Sequence, residues 1–488
     1  MNCTALLAVH LSATQATANA DRAALAFLDQ QGDVRHYSWR TLIAEVAAAA
    51  RSIDRQGFAP GDRLVHAFGN TNRGVVIAIA SMIVGTIEVP LDPSANSESQ
   101  QFQCKFVDGR WFHWPTIDLQ AHPSDSIHWL SLREQQLKPE HPVIILFTSG
   151  STGEPKGVML SRNNLFTNAR AKLFAVPQSI ADVRLTVLPL WHAYARTCDL
   201  MTWLVSGCTL AITQGWEGWQ NLSPIVQPSL INTVPSFAER LLSQAADNPG
   251  ASNLRLLGCG GAALTTDLFG CCADRGVTVI QGYGLTEASP VVCSATPADS
   301  RPGLVGQPVV GCKTRFGADG QLYVRGDGVM LGYWNDPCAT REKINDGWLE
   351  TGDCVEVDSD HKQYRIVGRM DDRITLSNGL KFFPGPIEQL VAGLTDVSHA
   401  ILIPDDRHVD LFIDVTEAIR PSAAYIGDVR QALGAFPAWQ QPRHIYVFHR
   451  LFSGNRHATT SKGNLCRPLA IEICKAASAN GGLNDRRR

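Results

Sequence analysis

Residues 148–157, TSGSTGEPKG, gather Thr148, Ser149, Ser151 and Thr152 with Gly150, Gly153 and Gly157 around Lys156. Glycine lets a backbone turn its N–H groups toward an anion, hydroxyls add donors, and a lysine adds charge. The stretch is built to hold phosphate. It is not the GxxxxGK[ST] loop, because Gly157 follows Lys156. Nor does GCGGAAL, at 258–264, fit the GxGxxG dinucleotide fingerprint. Another class of phosphate loop is implied.

Such a loop needs a rigid frame. PVIILF, just before it, reads as a buried parallel strand, and the segment from Ser161 reads as a helix. Residues 62–92 and 183–213 each read strand, helix, strand, the pattern of a parallel sheet covered by helices on both faces. The most apolar stretch, 74–91, is interrupted by Gly85 and Glu88. It is shorter than the ~20 residues a bilayer span requires, so it reads as a buried helix running into a strand. Further strands are expected at 230–234, 254–261 and 277–284, with a helix opened by the capping box Ser236–Glu239. From about residue 300 the texture becomes short alternating strands with Gly/Asp turns. A last region reads as helix near 386–394, strands near 399–403 and 410–415, helix near 423–434 and strand near 444–449.

Composition narrows the class. With 44% hydrophobic and 18% charged residues, the 488-residue chain is an ordinary soluble globular protein of two or more domains. A net charge of −3 argues against a nucleic-acid-binding surface. Thirteen cysteines without a CxxC pair read as free thiols in a reducing cytoplasm. The first 20 residues end in small side chains but lack a basic start, and their short apolar stretch contains His10, so no signal peptide is expected.

Taken in order, TSGSTGEPKG, GGAAL (260–264), GYGLTE (282–287), GWLETGD (347–353) and GRMDDR (368–373) resemble the signature of the acyl-adenylate-forming superfamily. That family contains acyl-CoA synthetases, peptide-synthetase adenylation domains and luciferases. The resemblance runs over nearly the whole chain. It implies an α/β fold: a large N-terminal domain, 1–370, of two doubly wound βα subdomains plus a small β-barrel-like one. A small mobile α+β lid, 371–476, and a disordered tail, 477–488, would follow.

The resemblance also assigns roles. Thr148, Ser149, Gly150, Ser151, Thr152, Gly153 and Lys156 would hold the phosphates of ATP. Gly260, Gly261 and Ala262, with Gly282, Tyr283, Gly284 and Leu285, would form the adenine pocket. Tyr283 offers the aromatic face, flanked by glycines that let the base approach; a plain core tyrosine is the alternative. Thr286 would donate to the α-phosphate and Glu287 would hold Mg2+, a hard cation that prefers oxygen. Asp353, Ile366 and Arg369 would meet the ribose, although Asp353 and Arg369 could instead form a simple ion pair. Asp371 would be the hinge. Ser377, Asn378, Gly379 and Lys381 would line the approach of coenzyme A, which acts as a substrate.

LPLWHAYARTCDL (188–200) and LSNGLKFFPGPIE (376–388) are similar to segments of long-chain fatty acyl-CoA synthetases, with Ala195 where that subfamily usually has glutamate. His192 would then stand at the acyl or pyrophosphate end of the site, unless it is structural. The expected activity is ATP-dependent ligation of a carboxylic acid, a fatty acid first, to the thiol of coenzyme A. An aryl acid, an acyl carrier protein as acceptor, and an adenylation-impaired binding protein are the alternatives. No nucleic acid and at most peripheral membrane association are expected. One departure stands out. The family's closing loop, Gly-Lys-(Leu/Ile)-x-Arg, is here KGNLCR, with Asn464 at the lysine position between Gly463 and Leu465, and Arg467 in place. Lys462, two residues earlier, is the candidate replacement for that catalytic lysine.

Overall fold

A computed structural model describes residues 4–5, 22–114, 123–149, 155–243, 249–261, 266–394, 396–405, 408–416, 423–452, 465–479 and 483–486. The chain divides into two compact units. The first is Met1–Arg315 with Tyr323–Thr351 and Val357–Arg365; the second is Phe316–Leu322 with Gly352–Glu356 and Ile366–Arg488.

Both expected strand–helix–strand repeats form in the first unit, each in its own sheet. Arg63–His66 and Ile87–Pro90 lie parallel, joined by the helix Asn72–Val84. That helix stops where Gly85 takes a left-handed φ of +87°, a conformation that costs glycine little. Val183–Thr186 and Thr209–Ile212 are likewise parallel. Between them the chain runs through Ala193–Ala195, the π-helical Arg196–Met201 and Thr202–Ser206. The second repeat belongs to a nine-stranded sheet in which Thr278–Gly284, Leu256–Cys259, Leu230–Thr233 and Val183–Thr186 are successive parallel neighbours. Leu185, Ile231, Leu257 and Val279 pack its interior with Trp219 and Leu241.

The first repeat belongs to a six-stranded sheet. Here Pro142–Ser149 is parallel to Ile87–Pro90, as expected, but its other neighbour is the antiparallel strand Pro155–Ser161. From sequence, Pro155–Gly157 belong to the loop and Ser161 opens the helix, with no strand expected between them. Strand pairing wins because the chain turns back after Ser149 and Val158 and Leu160 are both buried. The helix Arg162–Ala175 then starts at a reciprocal cap: the Asn164 N–H donates to Ser161 Oγ at 3.1 Å, and the Ser161 N–H donates to Asn164 Oδ1 at 2.7 Å. The expected cap at Ser236 is not one. That helix spans Pro235–Ser243, and the N–H groups of Phe237 and Ala238 reach Val234 O, so Ser236 lies inside the first turn. Proline at the opening position already supplies the φ a helix start needs.

The second unit carries the expected α+β pattern. Val397–Asp405, His408–Val415 and His444–His449 form a sheet with the helices Gly385–Ala392, Ala423–Leu433 and Arg467–Ala479. Leu402, Leu411, Ile413 and Ile445 join Ile387 and Val429 in its core. The tail corrects an expectation: Leu483–Arg486 is a fourth strand, antiparallel to His444–His449, rather than disordered. Unpaired edge donors on His444–His449 make such an addition favourable. Among the described residues the cysteines are free thiols, and no helix is long and apolar enough to cross a membrane.

Candidate active site

The phosphate loop leaves a two-stranded neck. Thr148 stands directly opposite Lys156 across the antiparallel pair, and Ser149 opposite Pro155. Gly150, Ser151, Thr152 and Gly153 lie outside the described residues. Gly157 is required by packing, since a Cβ there would meet Ile145 at 2.9 Å and Trp334 at 3.3 Å. The chain at 331–334 runs beside this neck: Trp334 N–H donates to Gly157 O at 2.7 Å, and Tyr333 pairs with Val158. That register sets the ammonium of Lys156 over the ring of Tyr333, 5.1 Å from its centroid.

Tyr333 also reaches the other half of the site. Its hydroxyl donates to Glu287 Oε1 at 2.8 Å, and Met330 N–H donates to Glu287 O at 2.8 Å. Glu287 sits in the single 3-10 turn Thr286–Ala288, just past the strand Thr278–Gly284. The helix Arg162–Ala175 clamps both partners. Asn164 Nδ2 donates to Asp327 O and Val329 O at 2.6 and 2.9 Å. One turn later Asn168 Nδ2 donates to Val291 O at 2.8 Å and to Ala288 O at 3.3 Å, while its Oδ1 accepts from Val291 N–H at 3.0 Å. One tyrosine thus touches both Lys156 and Glu287, and one helix anchors the segments on either side of them.

The two expected adenine segments are neighbours. Cys259 is in register with Gln281, so Gly260 and Gly282 leave adjacent parallel strands side by side, at the carboxyl ends where such sheets bind ligands. Gly261 follows with a left-handed φ of +89°; Ala262 is outside the described residues. The glycines flanking Tyr283 are required by the protein's own packing. A Cβ on Gly284 would overlap Pro290 O at 1.9 Å, and one on Gly282 would stand 3.0 Å from Cys293 O. Their role is to let the antiparallel strand Val291–Ser294 approach.

His192 precedes the helix Ala193–Ala195, with its ring tilted beside Trp191 and partly exposed. The turn presenting it is braced from below. Asn70 Nδ2 donates to Leu188 O at 2.8 Å and its Oδ1 accepts from Leu190 N–H at 2.9 Å. Arg196 Nε donates to Leu190 O at 3.0 Å, and its guanidinium pairs with buried Glu88, which also touches His66 Nε2 at 3.0 Å. Burial pushes the Glu88 carboxyl up, but Arg196 and then His66 outweigh it and hold it below the usual range.

In the second unit, Arg369 stands beside buried Asp353 at 3.5 Å and beside exposed Asp371 at 3.7 Å. Ile366 is half-buried on the strand that ends at Arg369. Ser377, Asn378 and Gly379 form the exposed tip of the hairpin between Ile374–Thr375 and Lys381–Phe382; Gly379 has a φ of +81° with nothing within 4 Å of an added Cβ. Arg467, opening the last long helix, grips Glu388 at 2.8 Å and donates to Leu402 O at 2.7 Å. Lys462 and Asn464 lie outside the described residues.

Residues 112–334 match the family described as AMP-binding enzyme. A feruloyl-CoA synthase of an Amycolatopsis species is 29% identical over 423 residues, 77% of this chain and 83% of that one. A long-chain-fatty-acid–CoA ligase of Haemophilus influenzae is 33% identical over 55% of this chain and 51% of its own length. Over residues 112–334 the chain is similar to AMP-binding enzymes, the family its motifs resemble. An anthranilate CoA ligase in complex with anthranoyl-AMP shares the fold of this chain, with a TM-score of 0.82, 20% identity and 98% of each chain covered.

The enzyme is an acid–thiol ligase, and its geometry adds residues that motif reading missed. Tyr333, Asn164, Asn168, Asn70 and Arg196 all brace site groups. Two buried asparagines one turn apart in a helix are the signal that could have found the clamp, because a buried amide needs partners. The carboxylate of Glu287 offers the hard oxygen donor that a magnesium ion prefers. Among the described residues no three His, Cys, Asp or Glu side chains cluster. A cation there would take Glu287 together with substrate oxygens, the sparse protein ligation that Mg2+ commonly uses.

Proposed function

We propose that this enzyme joins a compact aromatic carboxylic acid to the thiol of coenzyme A by way of an acyl-AMP. The acid's carboxylate oxygen attacks the α-phosphorus of ATP and pyrophosphate leaves. The thiol sulfur then attacks the acyl carbonyl, and AMP leaves. Carboxylate and triphosphate repel one another, so the first step depends mainly on charge neutralisation and positioning. Lys156 and the Thr148 neck serve the outer phosphates, and Thr286 serves the α-phosphate. Mg2+, held by Glu287, would neutralise further phosphate charge. The observation carrying this reading is that Lys156 and Glu287 meet at a single side chain, Tyr333.

The surroundings of His192 support a compact acid. Tyr194, two residues on, lies with its ring against Gly260, where an added Cβ would be 3.1 Å away. Its hydroxyl donates to Asn232 Oδ1 at 3.4 Å. Asn232 in turn donates to Asp199 at 2.6 Å, and Asp199 is paired with Arg184 at 2.6 Å. A long alkyl chain running past Tyr194 would meet this buried polar group instead of an apolar tunnel, at a cost in desolvation. The names of the feruloyl-CoA and indoleacetate–CoA relatives favour the same class. The fatty-acid reading is the second one, supported by the Haemophilus influenzae relative.

Pyrophosphate release by purified protein, over aryl carboxylates and alkanoates of rising length, tests the proposal. Coenzyme A and a holo-acyl carrier protein would be compared as acceptors. Aryl acids should lead by kcat/KM, with coenzyme A as the better acceptor. Preference for long alkanoates would overturn the aromatic reading, and preference for the carrier protein would overturn the acceptor. Glu287→Gln should lower acyl-AMP formation on the order of 100-fold without unfolding, because a neutral amide holds Mg2+ poorly.

A further inference from the structure

Tyr333 has no assigned role, yet it touches both charged groups on which adenylation depends. Its side chain is buried, at 5% exposure, although it carries a hydroxyl that needs a partner. That partner is Glu287 Oε1, at 2.8 Å. The opposite feature, the electron-rich face of the ring, receives the ammonium of Lys156 at 5.1 Å from the centroid. No other described side chain makes both contacts.

We infer that Tyr333 is a positioning residue that orients Glu287 for its metal and parks Lys156 until nucleotide arrives. The inference rests on the metal role proposed for Glu287. A carboxylate on a short 3-10 turn has several rotamers; a hydrogen bond to one oxygen selects one of them and leaves the second oxygen to face a cation. Backbone geometry makes the tyrosine itself rigid. Gly332–Tyr333 is paired with Val158–Met159, and Trp334 and Leu331 donate to Gly157 and Met159 on either side. The same strand carries Lys156, so any displacement of Tyr333 moves with the phosphate neck. On an aromatic face Lys156 keeps its charge near the site, because that contact does not neutralise it. Direct pairing of Lys156 with Glu287 would neutralise both groups, whereas contact through a neutral tyrosine leaves each one charged.

Two substitutions separate the two contacts. Tyr333→Phe keeps the ring and removes the hydroxyl; Tyr333→Leu removes both. Equilibrium binding of ATP, measured by calorimetry over a magnesium titration, reads the effect without turnover. Tyr333→Phe should raise the magnesium concentration needed for half-maximal ATP binding about tenfold, the usual size for loss of a group that orients a metal ligand. Metal-free ATP affinity should not change in Tyr333→Phe and should change several-fold in Tyr333→Leu. In a Glu287→Gln background, Tyr333→Phe should have no further effect on magnesium dependence, since its action runs through that carboxylate. Unchanged magnesium dependence in folded Tyr333→Phe, with wild type and Glu287→Gln differing, would overturn the inference alone. Wild-type ATP binding that ignores magnesium, or a Glu287→Gln protein that matches wild type, would overturn the metal role of Glu287 and this inference with it.

Discussion

Arg196 grips both carboxylate oxygens of Glu88, at 2.8 and 3.1 Å, with both side chains 2% exposed. The pair joins a strand of the six-stranded sheet to the π-helical stretch behind His192. Removing one partner leaves the other charge buried and uncompensated, a loss of about 3–5 kcal/mol. Glu88→Gln should therefore lower unfolding free energy by that amount in denaturant titrations. The Glu88 carboxyl titrates below its ordinary range in the folded protein. Its contribution is thus present above the unfolded carboxylate pKa and is lost as pH falls through the folded value. Acidification should cost wild type more than Glu88→Gln.

Lys172 should give stability the same upward trend with pH, but in an alkaline window and by relief of a penalty. Its ammonium is buried and donates to the neutral hydroxyl of Ser294 at 2.8 Å, and burial lowers its pKa from 10.5 to about 8. Below pH 8 the lysine is charged in both folded and unfolded chains, and the full penalty, roughly 3 kcal/mol, is present. Between the folded and unfolded values the unfolded chain binds the extra proton, so stability rises with pH. Lys172→Met should stabilise the protein by about 1–3 kcal/mol at pH 7, after the lost hydrogen bond is counted. That gain should shrink as pH climbs through the same window.

Asn168 ties the helix after the phosphate neck to the turn carrying Glu287 by one hydrogen bond, to Ala288 O, and to the next strand by two, both with Val291. Asn168→Leu strands buried backbone groups and should cost roughly 2–4 kcal/mol. Asn168→Asp, nearly the same shape, replaces two donated bonds with acceptor-to-carbonyl repulsion. Both should slow acyl-AMP formation more than thioester formation from supplied acyl-AMP. Equal slowing of the two half-reactions would assign Asn168 to stability alone.

Asn464 brings no charge where the family's closing loop has lysine, and charge-assisted contacts are about twice as strong as neutral ones. In extended chain, residues two apart project from one side, ~6–7 Å from each other. Lys462 is the proposed substitute. Lys462→Ala should abolish acyl-AMP formation while sparing thioester formation from acyl-AMP. Unaltered adenylation would reject the substitution, and a large gain in Asn464→Lys would show that no lysine had replaced the missing one.

By itself the sequence determined the local elements and the type of chemistry. Apolar periodicity gave the parallel repeats around 62–92 and 183–213, and the helices and strands of the α+β region. Hydroxyls, glycines and a lysine in one short stretch declared a phosphate loop. These are short-range properties, set within a few residues of backbone. Tertiary structure alone decided which side chains meet. Tyr333 and Glu287 are 46 residues apart, Glu88 and Arg196 108, and Asn168 and Val291 123. The glycines beside Tyr283 read as space for a base, and the structure adds that a neighbouring strand packs against both. The strand Pro155–Ser161 was hidden because pairing across the loop neck, rather than propensity, makes it a strand. Contacts between distant segments depend on strand register and helix placement, and no pattern along a single chain records either one.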